Sequence, residues 1–181
     1  MSILPKDKKI QMVDLQGQYK KIEVAVNQAM IDVIQNSAFI NGPAVKQLKA
    51  GMQKAFDVKH VIPCANGTDA IQIALMALDL QPGDEIITTT FTFIATAEVI
   101  ALLQLKPVFV DVDPNNYCIS VEAIREKINS KTKVIIPVHL YGHCAPMEDI
   151  LTLAKEYDLK VIEDTAQGIG STYKFKNGKQ Q

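Results

Sequence analysis

The sequence predicts an α/β fold, a mainly parallel sheet covered by helices. Two observations carry this. From His60 onward, short apolar runs alternate with longer runs of helical period, and the connections between them are short. No linker or internal repeat interrupts that alternation, so it belongs to one domain.

The elements follow in order. The first ten residues read as loose. Ile22, Ala25, Val26, Ala29, Met30, Val33 and Ile34 then hold i, i+3, i+4, i+7 spacing, which predicts a helix with one buried face. Asn36-Ser37 ends it, Asn41-Gly42-Pro43 makes a turn, and Pro43 opens a second helix lined by Val45, Leu48, Met52 and Phe56. Residues 1–59 are therefore a helical lead-in, and residues 60–181 the α/β domain. Strands are expected over Val61–Cys64, Glu85–Thr88, Pro107–Val112, Lys133–Val138 and Leu159–Glu163. Between them come helices over Ala70–Leu80, Ile94–Gln104, Val121–Ile128 and Met147–Tyr157. The helix from Ala70 is apolar on nearly every side and is expected to be buried. Gln81-Pro82-Gly83-Asp84 is a turn. Ser171–Phe175 fits a strand, and Asn177-Gly178 is a strong hairpin signal close to the last residue, Gln181. A hairpin needs its second strand, so the domain is expected to be incomplete at its C-terminal end.

Composition narrows the function classes. Of 181 residues, 48% are hydrophobic and 22% charged, as in a soluble globular protein with a real core. With 19 basic and 20 acidic residues the net charge is −1, which argues against nucleic acid or an anionic membrane as partner. The basic stretches Lys6–Lys9 and Lys174–Lys179 read as solvated ends. Cys64, Cys118 and Cys144 have no paired spacing, which points to a reducing cytoplasm. No apolar run follows the charges of Met1–Lys9, so no signal peptide is expected, and no stretch has the length of a membrane span.

Three segments could carry chemistry. Asn66-Gly67-Thr68-Asp69 follows a predicted strand and opens a helix. Free N–H groups and the helix dipole favour an anion there, Gly67 permits close approach, and Thr68 adds a hydroxyl donor, so the segment suits a phosphate. Asn and Thr are equally good plain caps, and both readings stand. Asp164, in Glu163-Asp164-Thr165-Ala166-Gln167, lies at the carboxyl end of a strand, where open α/β sheets bind ligands. Its carboxylate can pair with a protonated ring nitrogen, as a pyridoxal phosphate electron sink requires, or simply cap a helix. A ribose-binding Asp would need a glycine fingerprint upstream. Asn66-Gly67-Thr68 lacks that spacing, and Gly168-Ile169-Gly170 follows the Asp. Thr90-Phe91-Thr92-Phe93 brings aromatics to a strand end; Phe91 reads as core, and Phe93 could stack on a flat ring. His139 and His143 flank Gly142 in a loop after a strand with no second ligand pair, so no metal site is expected.

The ordered set resembles the DegT/DnrJ/EryC1/StrS family of sugar-nucleotide aminotransferases. The matching text includes Phe39-Ile40-Asn41-Gly42-Pro43, Asn66-Gly67-Thr68-Asp69-Ala70, Pro82-Gly83-Asp84-Glu85 and Phe91-Thr92-Phe93-Ile94-Ala95-Thr96-Ala97. It continues through Pro107-Val108-Phe109-Val110-Asp111, Pro137-Val138-His139-Leu140-Tyr141-Gly142 and Glu163-Asp164-Thr165-Ala166-Gln167. The resemblance implies the large domain of a type I aspartate-aminotransferase fold that binds pyridoxal 5'-phosphate. It implies that Gly67 and Thr68 hold the phosphate, Phe93 stacks on the ring, Asp164 pairs with the ring nitrogen and Gln167 sits near the ring hydroxyl. It further implies a homodimer that the N-terminal helices help to form, glutamate as amino donor and a nucleotide-linked keto sugar as acceptor, aminated by a ping-pong route. The stretches Cys64–Ala70 and Thr96–Leu103 look most like members that aminate C3 of a UDP-linked 3-keto sugar acid in polysaccharide assembly. The family's Schiff-base lysine lies a little downstream of the Asp-x-x-Gln segment. Lys174, Lys176 and Lys179 do not lie in the matching motif, so that lysine is expected beyond Gln181, no catalytic residue is assigned, and this stretch alone is not expected to transaminate. A histidine at that position would instead mark a sugar dehydratase of the same family, and a relative without the lysine would be regulatory.

Overall fold

The computed structural model describes residues 13–180, which form two compact units divided between Pro63 and Cys64. Met1–Lys9, with its expected loose, solvated lysines and lack of a leader, lies outside the described residues.

The first unit holds helices α1 (Leu15–Gln35) and α2 (Pro43–Phe56). Asp14 caps α1 by accepting the Gly17 N–H at 2.9 Å. At the other end Ser37 takes a positive φ of 49°, and the Ser37 and Ala38 N–H groups bond to Ile34 O and Val33 O. That is a Schellman closure made without glycine. The expected apolar stripe is present but not buried: no residue of α1 is buried, and Ile22, Met30 and Ile34 are 49%, 52% and 62% exposed. α2 is likewise without a buried residue. Periodicity writes the stripe, but burial needs an opposing surface, and α1 and α2 do not supply one. Val61–Cys64 is not a strand either, because no described strand pairs with it.

The second unit is a four-stranded parallel sheet in the order β2-β1-β3-β4. The strands are β1 (Glu85–Thr89), β2 (Lys106–Val110), β3 (Thr132–Ile136) and β4 (Lys160–Val161). The helices are α3 (Gly67–Met76), α4 (Ala95–Leu102), α5 (Val121–Lys127) and α6 (Met147–Glu156). Successive strand residues point to opposite faces, and each face meets its own helices. Ile86, Val134 and Ile136 pack with Ile71, Leu75, Val99 and Ile100 of α3 and α4. Ile87 and Ile135 pack with Ile124, Ile150 and Leu153 of α5 and α6. Each such fully buried aliphatic contributes about 1.5–3 kcal/mol. β1 and β3 are therefore apolar on both faces, as strands in the middle of a parallel sheet must be.

Three further expectations change. α3 stops at Met76, and only Ile71 and Leu75 are buried, while Ile73 and Met76 are 42% and 61% exposed. One stripe is enough to cover the sheet. Phe91 is not core but 45% exposed, its ring 5.9 Å from that of Tyr117. β4 is shorter than expected, since only an isolated bridge, Val138↔Asp164, extends its pairing. At the hairpin signal, Gly178 N–H bonds to Phe175 O and Lys174 bridges Gln180. Gly178 has φ 83° while Lys176 and Asn177 do not turn positive, so the turn is the three-residue type with a glycine bulge. All three cysteines are free thiols. Among the described residues no helix is long and apolar enough to cross a membrane.

Candidate functional site

Gly67, Thr68, Phe93, Thr96, Asp164 and Gln167 line one cleft of about 230 Å³ in the second unit. It opens at the carboxyl ends of the strands, the edge at which a parallel α/β sheet presents its loops to ligands.

α3 supplies one wall. Asn66 is extended and caps the helix, its Oδ1 accepting the Asp69 N–H at 2.9 Å and its amide donating to Asp69 Oδ2 at 3.1 Å. The Ala70 N–H reaches Asn66 O, so among the described residues the N–H groups of Gly67 and Thr68 remain unpaired at the positive end of the helix. A methyl group on Gly67 would meet nothing within 4 Å, so the space beside it is open. Asn66 thus acts as a cap, and its capping leaves the Gly67 and Thr68 N–H groups facing open space.

Asp164 supplies the polar end. It is 8% exposed, and both carboxylate oxygens are held: Oδ2 accepts the Thr96 hydroxyl at 2.8 Å and Oδ1 the Ala166 N–H at 3.1 Å. Its backbone bonds to Pro137 O and accepts from His139 N–H, which ties it to the end of β3. Phe93 lines the same cleft, 71% exposed and two residues before α4 begins. Gln167 turns its Oε1 to the Tyr141 N–H at 3.0 Å, so the amide has its Nε2 donors left to offer.

The loop after β3 braces the Asp164 segment. Leu140–Gly142 is a single 3₁₀ turn in which Tyr141 (φ 54°) and Gly142 (φ 84°) are both left-handed. The Ser171 hydroxyl donates to Gly142 O at 2.8 Å. His139, weighed in the sequence as a metal ligand, bonds instead to Glu163 and Ala145. Among the described residues no cluster of His, Cys, Asp or Glu could hold a metal ion. Burial pushes the Cys118 and Cys144 thiols above their ordinary range, so neither is poised as a nucleophile.

Sequence reasoning missed Thr96 and the brace. Thr96 was legible in part: it is a lone hydroxyl near the start of the apolar helix ATAEVIAL, and a buried hydroxyl needs a partner. No local signal pairs His139 with Glu163.

The chain is 44% identical over 92% of its length to a Pseudomonas aeruginosa UDP-2-acetamido-2-deoxy-3-oxo-D-glucuronate aminotransferase, covering 46% of that protein. It is 48% identical over 94% of its length to a pleiotropic regulatory protein of Geobacillus stearothermophilus, covering 45% of it. The chain thus spans about half the length of these curated relatives. The crystal structure of NtdA from Bacillus subtilis with bound cofactor PMP superposes with a TM-score of 0.81 at 36% identity, over 92% of this chain and 39% of that one. Residues 20–179 match the model of the DegT/DnrJ/EryC1/StrS aminotransferase family, and the chain belongs to that family.

Proposed function

We propose that this chain is the cofactor-binding part of a pyridoxal-phosphate-dependent sugar aminotransferase, acting on a nucleotide-linked keto sugar with glutamate as amino donor. The observation that supports it best is the convergence of an anion cradle, an exposed aromatic and a buried, doubly held carboxylate on one cleft. These residues fit the cofactor: it has a phosphate, a flat ring, a basic ring nitrogen and a hydroxyl, and the cleft offers a group for each.

When bound, pyridoxal phosphate supplies an electron sink through which an amino group passes from amino acid to keto sugar. The Gly67 and Thr68 N–H groups would hold the phosphate, with the Thr68 hydroxyl as a further donor. Phe93, exposed beside the cleft, would offer its ring as a stacking surface. The buried Asp164 carboxyl would face the ring nitrogen and favour its protonated form, and the Thr96 hydroxyl stops the carboxyl from rotating away. Gln167, with its Oε1 held by the Tyr141 N–H, would donate from Nε2 to the ring hydroxyl. No lysine lines the cleft among the described residues, so these side chains account for binding and electronic tuning and not for covalent anchoring.

The acceptor we favour is a UDP-linked 3-keto sugar acid, in line with the Pseudomonas relative's name. The partner we favour is a second copy seated on the uncovered stripe of α1. The test uses the protein expressed from its complete coding region, incubated with glutamate and a panel of 3-keto and 4-keto nucleotide sugars. Formation of 2-oxoglutarate with the 3-keto acid is expected. Turnover of 4-keto sugars only would reject the substrate. Retained cofactor without any turnover would favour the regulatory reading, for which the Geobacillus relative's name speaks.

A further inference from the structure

His139 is 3% exposed, does not line the cleft, and yet holds the segment that carries Asp164 and Gln167. Ala145 N–H donates to its Nδ1 at 3.0 Å. That bond makes Nδ1 the acceptor, so Nε2 carries the proton it shares with Glu163 Oε2 at 2.9 Å. The His139 backbone N–H donates to Asp164 O at 3.0 Å. Gly168 packs so closely that a methyl group there would stand 2.6 Å from His139 Cβ and 3.3 Å from its carbonyl oxygen. One buried residue therefore grips the 163–168 segment at Glu163, at Asp164 and at Gly168. Both ring nitrogens are engaged, Nδ1 by Ala145 and Nε2 by Glu163, and neither is free for chemistry.

The geometry points to His139, with Glu163 as its partner, as a positioning residue that sets the orientation in which Asp164 and Gln167 meet the cofactor ring. This rests on the cofactor assignment above. Groups that orient the residues touching a reacting centre carry a large share of its affinity and tuning. A histidine that only filled space would lower stability when replaced and leave a bound cofactor's electronics as they were.

The test uses the complete protein saturated with pyridoxal phosphate, and reads its absorption band, its dissociation constant and the protein's Tm. Glu163→Ala is the central variant, because that side chain is 44% exposed and its removal opens no cavity in the core. His139→Ala is the direct one. Both are expected to raise the dissociation constant by about tenfold and to move the absorption band toward that of Asp164→Asn. Glu163→Gln removes the charge but keeps an oxygen acceptor for Nε2–H, and is expected to restore the wild-type band. A lowered Tm with an unmoved band in both alanine variants would overturn the inference. So would a Glu163→Gln protein that behaves like Glu163→Ala, since charge and not the hydrogen bond would then be responsible. Failure of the unaltered protein to hold pyridoxal phosphate is a different result: it removes the cofactor assignment itself.

Discussion

Replacing Gly168 by alanine isolates the contact on which the Asp164 segment rests. Gly168 does not take a positive φ, so the backbone accepts an alanine there, and the whole penalty comes from what the new methyl group meets. It meets His139 Cβ at 2.6 Å. Carbon atoms rest near 3.5–4.0 Å, so the two segments must part by about 1 Å. His139 cannot give that distance by turning its ring, because the clash is at Cβ and the ring is bonded at both nitrogens. Overpacking of this kind costs about 1–3 kcal/mol, and stretching the His139–Glu163 bond beyond reach adds about 0.5–1.5 kcal/mol. The expected loss is about 2–4 kcal/mol, from a total that for most proteins is about 5–15 kcal/mol. Equilibrium urea unfolding of the whole protein reads it as a fall in midpoint of about 1–2 M. Gly67→Ala is the control, since its methyl group meets nothing within 4 Å, and with both variants unfolded free of cofactor its stability is expected to stay within about 0.5 kcal/mol of the parent. Equal midpoints for the two variants would refute the reasoning.

Gly67→Ala should separate binding from folding: with stability kept, its methyl group crowds the anion cradle and weakens pyridoxal phosphate binding by about tenfold, or 1.4 kcal/mol, in a fluorescence titration. Unchanged affinity would place the phosphate elsewhere. Thr96→Val keeps the shape and removes the donor to Asp164 Oδ2. With a buried acceptor left short, thermal unfolding should show a loss of about 1–3 kcal/mol, which Thr96→Ser recovers; a Val variant as stable as the parent would contradict the assignment. Glu85 gives a pH prediction. Hydrogen bonds from Lys106, then Asn129, hold its carboxyl below its ordinary value of 4.5. Its contribution is therefore complete above pH 4.5 and is lost as pH falls below that value toward the folded-state one, because the unfolded chain takes up the proton first. Glu85→Gln should flatten the acid limb of a stability–pH curve, and an unaltered limb would count against the network.

Much of the fold was legible because its signals are local. Glu85–Thr88 was expected and Glu85–Thr89 found; Met147–Tyr157 was expected and Met147–Glu156 found. The turn at Gln81–Asp84 closes with the Asp84 N–H on Gln81 O, as Pro-Gly there dictates. The errors share one cause. Val61–Cys64 has the composition of a strand, and α1 has the period of a buried helix, but pairing and burial belong to two surfaces, and a sequence pattern describes one. Phe91 failed for the same reason: hydrophobicity favours the core without stating where the core ends.

By itself, then, the sequence determined the order of helices and strands, the turns, and which residue types stand at the strand ends, since period and turn chemistry act within a few neighbours along the chain. Only the tertiary structure decided which of those ends meet. The order β2-β1-β3-β4 sets β1 beside β3, although β2 lies between them in sequence. That crossing brings Gly67, Phe93 and Asp164 to one cleft and gives Asp164 a hydroxyl partner 68 residues away. It likewise seats His139 between Glu163 and Ala145. A hydrogen bond exists only at about 3 Å, and no periodicity in a sequence encodes a distance between segments that the chain visits so far apart.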